Sequence, residues 1–178
     1  MRMIEIDDAG GGCFIGPEVL VIHHLETGSA HFLYIPPQVE DRVSFATELL
    51  KAAFTERGIT NREPVQLCRG EIFDKFQEYL EARGYSVVRQ KVSAATDSLA
   101  EAEFMEVLYA HGLPRSIALR NRNYQELYEM VGFWYFSQRN RSLRGLQKIR
   151  LRPPYRIKHV TERYPNLFRM IFQEEAAG

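Results

Sequence analysis

Asp7 and Asp8 stand side by side, followed by Ala9, by the glycines Gly10, Gly11 and Gly12, and shortly afterwards by Gly16-Pro17. Two adjacent carboxylates at the end of a strand can hold a hard divalent cation such as Mg2+ or Mn2+. Glycines beside them let backbone amides come close to a phosphate or a sugar. The same string also suits a solvated acidic turn. A second concentration of chemistry lies far downstream. Arg139, Arg141, Arg144, Lys148, Arg150, Arg152, Arg156 and Lys158 follow one another without an intervening acid, after Phe133-Trp134-Tyr135-Phe136 and with Tyr155 among them. Guanidinium groups grip phosphates as planar forks, and an aromatic ring can stack on a base. The bases are expected to hold nucleic acid, drawing an anionic strand toward carboxylates that would otherwise repel it; the aromatics are expected in the core. His23, His24 and His31 make a weaker case, because neighbours on a strand point to opposite faces and no thiolate or helical His pair supports zinc.

The elements that must position these groups can be read from periodicity. Met3 to Asp8 is a short β-branched segment that stops at the glycines, a strand entering a tight loop. Phe14 to Leu25 and Ala30 to Ile35 read as a second and third strand in a hairpin, ended by Pro36-Pro37. Val43, Ala46, Leu50 and Ala53 recur at helical spacing from Val39 onward, with Gly58 as a stop. Pro64 to Cys68 reads as a fourth strand, Ile72 to Arg83 as a helix closed by Gly84, Tyr85 to Val92 as a fifth strand, and Ser98 to His111 as a helix. Asn123 with Glu126 caps a further helix, and a last one is expected between Val160 and Glu174. This order predicts an α/β fold, a mixed five-stranded sheet flanked by helices, over residues 1–114. Residues 115–178 are expected as a helical, basic C-terminal extension packed on the same domain.

The composition bounds the rest. With 178 residues, 45% of them hydrophobic, the chain can bury a core of ordinary size, and it has no low-complexity tract. No apolar run is long enough to span a membrane, no secretory signal is apparent, and Cys13 and Cys68 are expected as free thiols in a reducing cytoplasmic setting. The net charge is zero, yet residues 1–114 carry 18 acids and 10 bases, and residues 115–178 carry 5 acids and 13 bases. An excess of base, which phosphate binding requires, is therefore present locally.

The opening string Ile6-Asp7-Asp8-Ala9-Gly10-Gly11-Gly12-Cys13-Phe14-Ile15-Gly16-Pro17 resembles that of type 2 ribonucleases H, which read Asp-Glu-Ala-Gly-Arg-Gly and then Gly-Pro. Asp7, Ala9, Gly10, Gly12, Gly16 and Pro17 match at the same spacing, while Asp8 replaces a glutamate and Gly11 an arginine. The element order is likewise similar to the wider ribonuclease H-like superfamily, whose enzymes activate water with carboxylates and two Mg2+ ions. In the type 2 enzymes an Asp-Gly pair ends the fourth strand; here it is Arg69-Gly70, followed by Glu71-Ile72-Phe73, which is similar to Holliday-junction resolvases. The resemblance implies Glu71 as a third metal ligand. It implies a fourth near the start of the helix after the fifth strand, where Asp97 and Glu101 are candidates and Glu103 and Glu106 further options. Ser98 and Glu101 also spell a capping box, which favours Asp97.

The expectation is therefore a metal-dependent nuclease of the ribonuclease H-like fold. Asp7, Asp8, Glu71 and Asp97 or Glu101 would hold Mg2+ or Mn2+, Gly10 to Gly12 and the eight C-terminal bases would hold the strand, and the substrate would be an RNA–DNA hybrid or structured DNA. The alternative keeps the fold and the phosphate binding without catalysis, as a binding module with a degenerate site.

Overall fold

The computed structural model describes residues 3–139 and 151–177, with side chains through residue 137 in the first stretch and residue 172 in the second. Two compact units are present: Met1–Gly11 with Pro17–Phe104, and Gly12–Gly16 with Met105–Gly178.

The first unit is built on a five-stranded mixed sheet in the order β3-β2-β1-β4-β5. The strands are β1 (Ile4–Ala9), β2 (Glu18–His24), β3 (Ser29–Ile35), β4 (Val65–Leu67) and β5 (Val87–Arg89). β1, β2 and β3 are antiparallel neighbours, whereas β1, β4 and β5 run parallel. The predicted hairpin of β2 and β3 is present. β2 begins at Glu18 rather than at Phe14, because Gly16 turns the chain with φ +73° and Pro17 withholds a ladder donor.

Alternation along β1 sorts its side chains between the two faces of the sheet. Ile4 and Ile6 face α1 (Arg42–Glu56) and α2 (Asp74–Ala82), where they join Leu20, Ile22, Leu50, Phe54, Phe76 and Leu80 in one core. Glu5, Asp7 and Ala9 must then face the other side of the sheet. There α3 (Ala94–Ala110) begins with a polar anchor: the Glu5 carboxylate accepts from the Ser93 backbone N–H at 3.1 Å and from the Ser93 hydroxyl at 2.6 Å. The Thr96 hydroxyl also donates to Glu5, and His23 Nδ1 lies 2.8 Å from the same Thr96 oxygen. Glu5 and His23 are both buried, so these bonds replace the water that each group loses. They also explain why α3 starts four residues before the expected Ser98. Ser93 is its first-turn cap, and Ser98 with Glu101 lies inside the helix instead of forming a capping box.

Helix ends follow local chemistry. Asp41 caps α1 by accepting from Ser44 N at 2.9 Å, and Gly58, at φ +63°, closes it with Ile59 N donating to Phe54 O at 2.9 Å. The helix expected from Ile72 is split into a single 3₁₀ turn (Glu71–Phe73) and α2. In the second unit, α4 (Tyr124–Arg139) has the expected Asn123 cap, whose Oδ1 accepts from Glu126 N at 3.1 Å. The last expected helix is two, α5 (Pro154–Arg163) and α6 (Pro165–Ala177), because Pro165 interrupts the pattern. α6 packs on both α4 and α5, and Phe14 stacks on Phe136, with ring centroids 6.4 Å apart. No helix among the described residues is long and apolar enough to cross a membrane.

Candidate functional site

The carboxyl ends of β1 and β4 lie side by side, and the chain leaves them in different directions. In open α/β sheets such a switch point is where ligands bind. β1 delivers Asp7 and Asp8 there, and β4 leads into Cys68, Arg69, Gly70 and Glu71, with Cys68 N donating to Ile6 O at 3.0 Å.

The two aspartates do not share a face. Asp8 projects to the α1 side, into a cluster that sequence reading did not anticipate. Arg42, the first residue of α1, donates from Nε to Glu18 Oε2 at 2.9 Å and from Nη2 to Glu18 Oε1 at 2.5 Å, and its Nη1 reaches Glu71 Oε1 at 3.1 Å. The Glu18 side chain is fully buried, and that of Glu71 is 74% exposed. Withdrawal from water, together with the charges of Glu18 and Asp7, pushes the Asp8 carboxyl up to about 7, against the pull of Arg42. Glu18 had a readable signal: an acid at the head of an otherwise apolar strand, Glu18-Val19-Leu20-Val21-Ile22, must be either exposed or paired. Arg42 had none beyond its place beside a helix cap.

Asp7 projects to the α3 side and is buried opposite Val21. The Cys68 thiol donates to its carboxylate; burial first, and then Asp7, pushes that thiol up to about 11. α3 runs along this face, from Thr96 at Glu5 to Phe104 at Gly10. Asp97 and Glu101 flank that packed stripe, both half-buried. Glu103 accepts from the Tyr34 hydroxyl at 2.5 Å, and Glu106 is held by both Arg115 Nη groups at 2.8 and 2.9 Å, so these two options are engaged elsewhere. The expected acids are thus divided: Asp8 and Glu71 on one face, Asp7 with the α3 acids on the other. Among the described residues, no group of three or more His, Cys, Asp or Glu side chains is arranged to hold a metal ion. As divided here, the described carboxylates do not form a paired-ion cluster.

The glycines serve internal packing. Gly10 has φ +77°, and a Cβ there would lie 2.3 Å from the Phe104 ring; a Cβ on Gly11 would lie 2.9 Å from Glu18 Oε1. The space a side chain would fill is therefore taken by Phe104 and Glu18. In the second unit, a Cβ on Gly12 would lie 3.3 Å from the Tyr128 hydroxyl.

The basic segment divides too. Arg141, Arg144, Lys148 and Arg150 lie outside the described residues, as does the side chain of Arg139. Arg152 and Arg156, expected to hold a strand, are both buried, Arg152 being 1% exposed. Its Nε donates to Gly16 O and its backbone N to Phe14 O, both at 2.8 Å, so it ties the Phe14 segment to the helices of its own unit. Lys158 is exposed, 4.0 Å from Glu162. Trp134 and Phe136 are core as expected, and Phe133 is exposed.

His31 lies 2.5 Å from Arg57 Nη2, and both cysteines are free. No protein-family model matches the chain, and no curated protein is significantly similar to it.

Proposed function

We propose that this chain is a nucleic-acid-binding module of the ribonuclease H-like type in which the strand-end carboxylates do not assemble a metal centre. The strand order 3-2-1-4-5, with only β2 antiparallel to its neighbours β1 and β3, supports the fold reading. The motif Asp7-Asp8-Ala9-Gly10 and the bases Arg139, Arg141, Arg144, Lys148, Arg150 and Lys158 of the acid-free run support the partner.

The observation that carries the non-catalytic reading is Arg42. Its guanidinium is paired with Glu18, bonded to Glu71 and within electrostatic reach of Asp8. The acids on this face already have a resident cation. A divalent ion about 4 Å from that guanidinium would meet repulsion on the order of 4 kcal/mol per unit of its charge at an effective dielectric of about 20.

Metal-assisted hydrolysis, the activity that the resemblance implies, would have to run on the opposite face, where α3 carries Asp97 and Glu101 past Asp7. Two measurements separate the readings. Fluorescence anisotropy of labelled hybrid, duplex and branched nucleic acids in EDTA is expected to give saturable binding. Incubation of the same substrates with Mg2+ or Mn2+ is expected to leave them intact. Cleavage by the parent that Asp7→Asn abolishes would replace the binding module with the nuclease, and the absence of any binding would remove nucleic acid as the partner.

A further inference from the structure

Two arginines of the first unit share an unusual arrangement. Arg42 is anchored inward on the buried Glu18 carboxylate and covered outward by Glu71. Arg89, at the end of β5, is anchored inward on the Gly70 carbonyl, with Nη2 donating at 2.8 Å, and braced by Gln77 at 3.3 Å. Outward, the same Nη2 meets Asp74 Oδ1 at 3.0 Å. Both guanidiniums are mostly sheltered, with side chains 22% and 18% exposed, while the covering acids are 74% and 63% exposed. Glu71 and Asp74 are three residues apart across the 3₁₀ turn and the first residue of α2, so they are neighbours on one surface. Arg69 and Lys75, both exposed, flank them.

The inner and outer bonds differ in strength. The inner contacts hold each guanidinium plane in place. The outer ones are solvent-exposed ion pairs, the kind that contribute little and exchange readily. Arg42 keeps one proton on Nη1 and one on Nη2 beyond the bonds described, an end-on pair, while Arg89 keeps Nε–H and one Nη1 proton, which point apart, so its fork toward an incoming oxyanion opens when Asp74 is displaced from Nη2. Carboxylates that are cheap to displace, placed over arginines that are held rigidly, form a cover over an anion site. The position, at the carboxyl ends of β1, β4 and β5, is where this sheet architecture receives ligands.

The geometry points to Arg42 and Arg89 as a phosphate clamp for a nucleic-acid backbone, with Glu71 and Asp74 as intramolecular competitors that the phosphates displace. This rests on the nucleic-acid-binding reading and names the residues that would do the binding in the first unit. It predicts an uncommon sign: removing two acids beside the clamp tightens binding, while each clamp arginine is needed.

The test compares the parent with Glu71→Gln/Asp74→Asn, Arg89→Gln and Arg42→Lys, each checked for folding by circular dichroism. Two probes are used, a labelled RNA–DNA hybrid and inorganic tripolyphosphate. The clamp predicts at least fivefold tighter binding of both probes by the double acid variant and at least fivefold weaker binding by Arg89→Gln. Arg42→Lys, which keeps the charge and loses the fork, should also weaken binding; should it fail to fold, Arg89→Gln and the acid variant decide the matter. Hybrid binding that none of the variants alters would overturn the clamp and leave the binding module intact. Variant-sensitive tripolyphosphate binding without binding of any polynucleotide would uphold the clamp and overturn the nucleic-acid partner. Failure of the parent and the acid variant to bind either probe would overturn both.

Discussion

Asp8→Asn should make the protein more stable at neutral pH, because it removes a charge that is costly to hold away from water beside Glu18. The Asp8 carboxyl is raised from 3.8 to about 7, chiefly by loss of water and then by Glu18 and Asp7. A raised acid holds its proton in the folded chain after the unfolded chain has released it. Between pH 4 and 7 the folded state therefore binds more protons than the unfolded state, and stability falls as pH rises through that window. A shift of about three units corresponds to about 4 kcal/mol once both states are ionised, of which about 3 kcal/mol is lost between pH 5 and pH 8. Asparagine has the same shape and no charge to bury. Urea denaturation followed by circular dichroism at pH 5 and pH 8 measures both numbers: the parent should lose stability across the interval and Asp8→Asn should lose markedly less, ending the more stable of the two at pH 8. Equal pH dependence in parent and variant, or a variant less stable than the parent at pH 8, would refute the placement of Asp8 among Glu18, Asp7 and Arg42.

Three further outcomes are expected. Arg42→Met alone should cost about 3 kcal/mol, because it strands the buried Glu18 charge, whereas Arg42→Met with Glu18→Met should recover most of that loss in a double-mutant cycle by chemical denaturation. Gly10→Ala should destabilise by more than about 2 kcal/mol, since φ is +77° and the new methyl would meet the Phe104 ring; pairing it with Phe104→Ala should remove the steric part and leave the backbone part, which melting curves of the two variants can show. Iodoacetamide should label Cys68 slowly at pH 8, as expected of a thiol raised to about 11. Asp7→Asn should accelerate the labelling, by at most about a hundredfold if the thiol returned fully to its ordinary value, and by less because burial is the larger cause.

The strand succession was legible because it rests on local pattern: β-branched residues before a glycine run, a polar hairpin turn, and amphipathic helices closed by Gly58 and Gly84. The helix starts and breaks were less so. Ser93 outcompetes Ser98 as a cap because Thr96, three residues on, is drawn to Glu5, a partner 91 positions away. Pro165 divides the C-terminal helix in a stretch whose apolar spacing runs on either side of it. For the site, one fact was available and decisive. Adjacent residues on a strand point to opposite faces, so Asp7 and Asp8 start out on different sides of the sheet, and β1 stays regular through Ala9. The pairing of Glu18 with Arg42 was not legible, because it joins a strand to a helix through a contact that only the packed fold creates.

The anchoring of Glu5 has a consequence for the order of events during synthesis. β1 is the middle strand of the sheet and is made before the other four strands, but its buried carboxylate is satisfied by Ser93 and Thr96. At typical translation speeds of roughly 5–20 residues per second, on the order of ten seconds separates the two. Through that interval the β1–β2 hairpin can close on its apolar side but must keep the Glu5 side wet. Burial of Glu5 on that side of the sheet therefore waits for Ser93 and Thr96, which ties completion of this face to the start of α3.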